Sequence, residues 1–464
     1  SMASATAITA LVYLTDIAKG LGDSGALASL RGQLEGVDGG APQTILILGS
    51  DKRSNTPGDP GRSDTTILLR VDPDKGAISL LSIPRDLRVQ VPGYEGDRKF
   101  NEAYALGGPD LTLEVVKQLT GEPVNHVVNI DFLGFADAVN SIDCVYIDVD
   151  RRYLIPPESG YAEIDIEAGY QRLCGLKALQ YVRYRQTDDD LVRSARQQDF
   201  LREARQKVPP SKLISDRNEL LKVFTDYTTS DINDPVTLLE FIKTLVRVGD
   251  VPVNEVQFPA VYGEEGTGFV EASDEAIEEA VDEFLAQDVP PPPSGGSGGG
   301  DDQKGGDGDK PDEPSAPEMI DSTSMGQATA DLVDDKKLKI PVYFPTLLTP
   351  ESVLNDDARS FPIDGPGDDA YRGYKMVAAF TGPRGFPEYY GISGTNWQEP
   401  PILANPSEVR TIEGRDYMLF YDGDRLRLVG FRTSEGTYWV NNTLTQNLGE
   451  DQMLAIATGL KERE

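Results

Sequence analysis

Residues 288–318 are nearly devoid of apolar side chains, and this stretch constrains the fold more than any other feature. Four prolines, Pro290 to Pro293, lead into glycine and serine and then into aspartate, glycine and lysine. Because such a composition cannot bury a core, we expect a flexible linker here. The chain then has four predicted parts, namely an N-terminal segment, a first folded unit, the linker and a smaller second unit, at 1–41, 42–287, 288–326 and 327–464.

The first unit alternates strand-like and helix-like patterns. Short apolar runs bounded by turn residues predict strands at 44–49, 65–71 and 77–83. Asp110 and Asp131 each stand where a carboxylate can cap a following helix. The remaining predictions are a strand at 144–149, a helix or strand at 178–185, and helices at 190–207, 235–248 and 273–286. This order is typical of an α/β fold, here an α-β-α sandwich.

The second unit has a different pattern. It holds both tryptophans, Trp397 and Trp439, and strand-like runs at 417–421 and 426–431. A helix at 449–461 closes it. We expect a domain of the α+β class. Its role is expected to be accessory, because no set of residues suited to catalysis stands out in this unit.

Charge and histidine content exclude several functions. Lysine and arginine number 44 against 77 acidic residues, a formal net charge of −33, so the chain as a whole repels nucleic acid. Its one histidine, His126, excludes sites built from several histidines, and any Ser-His-Asp triad would have to use it. We expect a structural role for His126 at the start of a strand.

The two cysteines, Cys144 and Cys174, allow two interpretations. In a cytosolic protein they would be buried apolar residues, and in an exported protein they would form a disulfide. No segment reaches the roughly 18–20 apolar residues needed to span a membrane.

Two carboxylates stand at the ends of predicted strands. Asp51 ends the run Gly49-Ser50-Asp51, and Asp64 precedes the next strand. Ligands bind at strand ends in open α/β sheets, and with no histidine or cysteine nearby these oxygens suit Mg²⁺. The alternative is that both are ordinary turn residues.

Arginines cluster against the acidic background. Arg85, followed by Asp86, comes directly after a strand, and Arg183 and Arg185 would share one face if that segment is extended. A helix face holds three more polar residues, Arg193, Arg196 and Gln197. Because the planar guanidinium binds two oxygens at once, these residues indicate a pyrophosphate site. The alternative is a solvated basic surface.

Several ordered motifs over residues 43–205 together resemble the LytR-CpsA-Psr family of cell-wall glycopolymer ligases. They are LGSDKR, GRSDTTILLRVDP, ISLLSIPRDLRVQVPG, KFNEAYALGG, NIDFLGFADAVNSID and ALQYVRYRQTDDDLVRSARQQ. The resemblance implies an α/β/α domain outside the bacterial cytoplasmic membrane, with an anchoring helix upstream. It also implies Mg²⁺-dependent transfer of a glycopolymer from polyprenyl pyrophosphate to peptidoglycan.

The resemblance also assigns roles by position. It makes Asp51 and Asp64 the metal ligands, and Asp86 a residue that orients Arg85 or acts as a base. Pyrophosphate and substrate contacts fall to Arg62, Arg85, Lys99, Asn101, Arg183, Arg185, Arg193, Arg196 and Gln197. Candidates for a prenyl groove, or alternatively for the core, are Leu113, Val116, Leu119, Phe132 and Phe135.

One stretch departs from the family pattern. The segment Ser141-Ile142-Asp143-Cys144 stands where the family usually has Gly-Gly-Val. Export, as the resemblance implies it, favours a Cys144–Cys174 disulfide. Two other functions stay open, a lipid-pyrophosphate pyrophosphatase and a non-catalytic regulatory protein that binds polyprenyl pyrophosphate.

Overall fold

The computed structural model describes most of the chain outside the N-terminal segment and the linker. The residues described are 27–38, 40–50, 61, 63–157, 163–184, 190–207, 228–232, 237, 240, 244, 253–256, 258–264, 267–286, 318–334, 338–367, 369–382 and 385–463. The predicted linker at 288–326 and helix at 235–248 therefore fall largely outside them. Contacts divide the chain into two compact units, and the short segments 148–152 and 167–171 belong to the second.

The first part of the chain contains fourteen described strands and five described α-helices. The strands are β1 (Gln43–Ser50), β2 (Ser63–Asp72), β3 (Ala77–Ser82), β4 (Arg88–Gln90), β5 (Asp97–Lys99), β6 (His126–Asp131), β7 (Val145–Val149), β8 (Tyr153–Ile155), β9 (Ile164–Ile166), β10 (Gly169–Leu173), β11 (Thr228–Ser230), β12 (Val253–Val256), β13 (Val261–Tyr262) and β14 (Val270–Glu271). The helices are α1 (Glu102–Thr120), α2 (Phe132–Ser141), α3 (Gly175–Arg183), α4 (Asp190–Lys207) and α5 (Asp274–Ala286). Among the described helices, none is long and apolar enough to cross a membrane.

A six-stranded mixed sheet with the order β11-β6-β1-β2-β3-β12 forms the centre of the first unit. Successive residues of a strand point to opposite faces, so each central strand contributes side chains to two apolar clusters. Leu46 and Leu81 pack on one face with residues of α1 and α5, and Ile45 and Val128 pack on the other. The α/β class predicted from the sequence is confirmed.

Helix α1 corrects two expectations. It begins at Glu102, so Asp110 lies inside it and is not its cap; the chain departs from helical geometry at Gly107 and Gly108 and then continues. Gly108 has φ +63°, a conformation that glycine adopts without strain. Leu113 and Val116 are both 0% exposed in the core, which favours the core alternative over a prenyl groove.

The second helix begins as predicted. The Asp131 carboxylate accepts a hydrogen bond from the Gly134 backbone N–H at 2.7 Å. This contact satisfies one of the donors that a helix start leaves unpaired, which is what an N-cap aspartate does.

The C-terminal part of the chain is rich in strands. They are β15 (Ile320–Asp321), β16 (Tyr343–Pro345), β17 (Leu347–Leu348), β18 (Val353–Leu354), β19 (Arg359–Asp364), β20 (Ala370–Thr381), β21 (Pro387–Thr395), β22 (Glu408–Ile412), β23 (Arg415–Asp422), β24 (Arg425–Arg432), β25 (Thr437–Asn441) and β26 (Leu460–Glu462). The helices are α6 (Thr323–Asp331) and α7 (Glu450–Thr458). The strands predicted at 417–421 and 426–431 are confirmed as β23 and β24, and the closing helix is shorter than predicted because a strand follows it.

An eight-stranded sheet, β18-β20-β21-β25-β24-β23-β22 with β19 on β20, organises this unit. Tyr374, on β20, is fully buried and donates its hydroxyl to the Tyr343 carbonyl at 3.1 Å. Burial raises the pKa of the Tyr374 hydroxyl well above its ordinary value, so the group stays a proton donor.

The second unit also contains a buried ion pair. Lys375 Nζ lies 2.8 Å from Asp148 Oδ1, and the two side chains are 0% and 5% exposed. The other oxygen of Asp148 accepts the indole N–H of Trp439 at 2.9 Å. Lys375 also donates to Asn441 Oδ1 at 3.2 Å, so both charges carry additional hydrogen bonds. Such bonds are what a buried pair needs to offset the cost of desolvation.

Replacing one partner of this pair should destabilise the second unit. Lys375→Met leaves the Asp148 carboxylate buried without its cation, which typically costs about 3–5 kcal/mol. Lys375→Met/Asp148→Asn should recover much of that loss. Chemical denaturation of the full chain followed by tryptophan fluorescence measures it, because both tryptophans, Trp397 and Trp439, belong to this unit.

The matched control is Arg410→Met, which removes a cation that is 25% exposed and paired with Glu408 and Glu450. Partly exposed pairs of this kind contribute about 0–1 kcal/mol. Equal losses in Lys375→Met and Arg410→Met would contradict the importance of the buried pair.

Candidate active site

Strands β1, β3 and β6 of the central sheet run in the same direction, as does β12 at the sheet's end. β1 is parallel to β6, and both β1 and β3 run antiparallel to β2. Their carboxyl ends, at Ser50, Ser82 and Asp131, therefore meet at one edge of the sheet, which we call the carboxyl edge. β2 starts there with Ser63, opposite Ser50. Ligands of open α/β sheets bind at such an edge.

The predicted metal positions belong to this edge by sequence. Asp51 follows Ser50 in the chain, and Asp64 is the second residue of β2, where the register with β1 shifts. Asp51, Arg62 and Arg185 lie outside the described residues, and only the backbone of Asp64 is described. Their assignments stay predictions.

The chemistry of the described neighbours fits a hard cation. Ser50 is 0% exposed, and its hydroxyl finds no hydrogen-bond partner within the part of the chain that the structure describes. Oxygen atoms of this kind, beside carboxylates, are the ligands that Mg²⁺ prefers. Among the described residues, no group of three His, Cys, Asp or Glu could hold a metal ion, so a site here would depend on Asp51 and Asp64.

Asp86 connects two of the predicted phosphate ligands. One of its oxygens lies 3.4 Å from Arg85 Nε, and the other lies 3.0 Å from Lys99 Nζ. Arg85 and Asp86 are mostly buried, with side chains 11% and 15% exposed. Because each oxygen already meets a cation, this geometry favours the orienting role of Asp86 over the role of a base.

Backbone bonds bring the rest of this group together. The Asn101 N–H donates to the Arg85 carbonyl and the Phe100 N–H donates to the Leu87 carbonyl, both at 2.9 Å. The loop after β3 is thereby joined to the start of α1. The structure thus places Arg85, Asp86, Lys99 and Asn101 beside one another, although they come from two separate motifs.

Arg183 reaches the carboxyl edge from another direction. It is the last residue of α3, its side chain is exposed, and its guanidinium carbon lies 3.7 Å from the centroid of the Phe132 ring. Phe132 opens α2 directly after Asp131. A guanidinium stacked on a ring makes a cation–π contact, which fixes the position of its charge.

Of the two conformations left open for residues 178–185, a helix or a strand, the structure shows a helix as far as Arg183. The buried residues Ala178, Leu179 and Val182 follow helical spacing, and the segment folds as α3. The period-two argument for pairing Arg183 with Arg185 therefore fails, while their closeness in sequence remains.

The three predicted residues of α4 are not on a solvated face. Arg193, Arg196 and Gln197 are 2%, 0% and 8% exposed. Arg196 donates to backbone carbonyls at the end of α3 and cannot reach a bulky substrate in this conformation. Its assignment as a substrate ligand stays a prediction.

Sequence reasoning missed the partner of His126. His126 Nδ1 lies 2.9 Å from Asp231 Oδ2. The other oxygen of Asp231 accepts a hydrogen bond from the Val127 backbone N–H at 2.7 Å. His126 starts β6, so this pair lies at the sheet edge opposite the carboxyl edge and fits the expected structural role. No local pattern signals it, because 105 positions separate the two residues.

The predicted disulfide between Cys144 and Cys174 is confirmed. Asp143 and Cys144 have φ values of +62° and +63°, a region that L residues rarely occupy. Glycine, which the family usually has in this stretch, would adopt this conformation without strain. Here the cross-link and the Asp143–Arg172 ion pair hold it instead.

Comparison with known proteins gives a consistent result. The model of the LytR_cpsA_psr family matches residues 21–284. A protein of Enterococcus faecalis named polyisoprenyl-teichoic acid–peptidoglycan teichoic acid transferase TagU is 31% identical over 194 residues, 41% of this chain and 62% of its own length. The Bacillus subtilis protein of the same kind, TagT, is 31% identical over 214 residues, 45% of this chain and 66% of its own. The chain thus spans less than two thirds of either relative.

The chain is also similar to a solved structure. The crystal structure of Bacillus subtilis TagV shares 25% identity with a TM-score of 0.46, covering 53% of this chain and 97% of that one.

Removing the disulfide should destabilise the first unit. Cys144→Ala/Cys174→Ala frees a loop closed by a separation of 30 residues, which costs about 3–4 kcal/mol in the chain-entropy model. Far-ultraviolet circular dichroism during denaturation measures the loss. Labelling of the unfolded, unreduced wild type should detect no free thiol, and two labelled thiols would contradict the bond.

Proposed function

Because the chain belongs to the LytR-CpsA-Psr family, we propose that it transfers a glycopolymer from a polyprenyl-pyrophosphate carrier onto peptidoglycan through a phosphodiester bond. The names of its relatives support this class of donor, acceptor and reaction. The polymer is left unspecified, since those names refer to other proteins.

The observation that carries the proposal is the convergence of cations on the carboxyl edge of an acidic chain. Arg85 and Lys99 are held there by Asp86, and Arg183 is held there by Phe132. With a net charge of −33 the chain as a whole repels a pyrophosphate, so a local cluster of cations is needed to bind it. Fixed guanidiniums can bind its oxygens in pairs, so the edge selects this group.

The reaction needs one bond made and one bond broken. A hydroxyl oxygen of the acceptor glycan attacks the phosphorus next to the sugar polymer, and its proton passes to the solvent. The bond from that phosphorus to the bridging oxygen breaks, and polyprenyl phosphate leaves with the bridging oxygen. Arg85, Lys99 and Arg183 would offset the negative charge that develops on the departing phosphate.

Mg²⁺ belongs to the same proposal. Asp51 and Asp64 would hold it, and the buried Ser50 hydroxyl, which has no hydrogen-bond partner among the described residues, supports the choice of a hard cation. When bound, such an ion neutralises phosphate charge and acts as a Lewis acid.

The proposed location is outside the cytoplasmic membrane, with an anchor upstream of residue 1 and peptidoglycan as the neighbour. The Cys144–Cys174 disulfide supports this, because disulfides persist in oxidising compartments. A nucleic-acid partner is not proposed, given the net charge.

The test is transfer by the full chain with lipid-linked polymer, acceptor glycan and Mg²⁺. We expect product only when acceptor and metal are both present. Asp51→Ala and Asp64→Ala should each lower turnover about 10²–10³-fold, the usual cost of losing one charge-stabilising contact, without lowering the unfolding temperature. Wild-type activity in both variants would contradict the metal assignment, and polymer release without acceptor would favour the pyrophosphatase.

The Asp86 geometry gives a separate prediction. Asp86→Asn keeps the size of the side chain but no longer holds Arg85 and Lys99 by charge, so kcat should fall about 10²-fold, as expected for misplaced catalytic groups. The pH dependence of kcat should keep its shape. If the variant loses the acidic limb of the profile, Asp86 is the general base after all.

Asp97→Asn is the matched control for Asp86→Asn. Asp97 also pairs with an arginine, Arg88, at 3.0 Å, but it is 40% exposed and lies on the neighbouring β4–β5 hairpin. Its replacement should leave turnover unchanged.

A further inference from the structure

The end of helix α3 is held by two side chains of α4. Arg196 Nη1 donates to the Tyr184 carbonyl at 2.9 Å and to the Tyr181 carbonyl at 3.3 Å. Gln197 Nε2 donates to the Val182 carbonyl at 3.2 Å. The last carbonyls of a helix have no partner within the helix. Arg196 and Gln197 supply partners for them, and we call this pair the helix-end clamp.

The guanidinium of the clamp is enclosed by aromatic rings. Arg196 is 0% exposed, and its Nε donates to the Tyr153 hydroxyl at 3.2 Å. Its central carbon lies 4.5, 5.6 and 5.9 Å from the ring centroids of Tyr153, Tyr181 and Tyr184. The Tyr153 and Tyr184 rings also contact each other edge to face, with centroids 4.8 Å apart. The clamp is therefore anchored to β8 as well as to α3.

An arginine suits this position better than any other residue. Its positive charge lies at the carboxyl end of α3, where the helix dipole favours a cation. Its rigid fork reaches two carbonyls and one hydroxyl at the same time. A lysine would keep the charge but present one compact group, which cannot match three acceptors in fixed directions.

What the clamp fixes is the backbone on both sides of Arg183. Val182 and Tyr184, its neighbours in sequence, both have their carbonyls bound by α4. Arg183 itself points outward, is exposed, and stacks on Phe132. Arg196 holds the neighbour on one side and Gln197 holds the neighbour on the other, so the two together fix where the exposed guanidinium begins and what it can reach.

We propose that Arg196, assisted by Gln197, is a positioning residue that acts through Arg183 and does not touch the substrate. This inference rests on the proposed function only in that Arg183 is taken to contact the pyrophosphate. The competing explanation is that Arg196 is a core residue whose loss weakens the whole unit without any special link to Arg183.

The first experiment does not depend on activity. Hydrogen–deuterium exchange of the full chain is compared for wild type, Arg196→Lys and Arg202→Met. Arg202 lies on the same helix and pairs with Asp199, away from the clamp. We expect amides in 181–184 to exchange about tenfold faster in Arg196→Lys, as a locally loosened helix end does. Arg202→Met should leave that segment unchanged.

The second experiment is a double-mutant cycle on turnover of the lipid-linked polymer. Arg196→Lys and Arg183→Ala should each lower kcat/KM about 10²-fold, since a small misplacement of a reacting group has that effect. If Arg196 acts through Arg183, Arg196→Lys should cause almost no further loss once Arg183 is alanine. Gln197→Glu, which removes the donor to Val182, should lower kcat/KM in the same dependent way.

The outcomes separate the two explanations. Faster exchange confined to 181–184, together with non-additive losses, supports positioning. Unchanged exchange in that segment, or losses that multiply in the double variant, overturns it. If the wild type shows no turnover, the proposed function fails, and the exchange comparison alone still decides whether Arg196 fixes the end of α3.

Discussion

The direction of three strands is the constraint on which the proposed site depends. Because β1, β3 and β6 all end at the same edge, residues that follow them in distant parts of the sequence meet there. Asp51, Arg85 and Phe132 each come just after one of these strands. The sheet order, held by apolar clusters on both faces, thus decides which polar groups become neighbours. The topology of the sheet alone therefore predicts that a ligand binds at this edge.

Cations that lie close together repel one another, and the structure offsets this repulsion in different ways. Arg85 and Lys99 share the Asp86 carboxylate, and Arg183 rests on the Phe132 ring. Arg196 is buried among tyrosines and donates hydrogen bonds to backbone carbonyls. Arg85, Lys99 and Arg183 lie at the carboxyl edge, while Arg196 is enclosed and contacts the scaffold.

Local features were predictable from sequence, and nonlocal ones were not. The Asp131 cap and strands β1 to β3 rest on neighbouring residues, and the disulfide followed from two cysteines and the expectation of export. Asp110 was misread because Gly107 and Gly108 interrupt α1 without ending it. The burial of Arg196 was not predicted, because its face of α4 meets other elements of the fold. The Asp148–Lys375 pair could not be seen at all, since 227 positions separate the two residues in the numbering of the chain.

The origin of the oxygen in the product tests the account most directly. The full chain is given lipid-linked polymer and acceptor glycan in water enriched in oxygen-18, and the products are weighed by mass spectrometry. The account predicts polymer joined to the acceptor by a phosphodiester that contains no heavy oxygen, because the acceptor hydroxyl supplies the new bond. Polymer released with one heavy oxygen on its terminal phosphate, while acceptor is present, would show that water is the acceptor and would contradict the account.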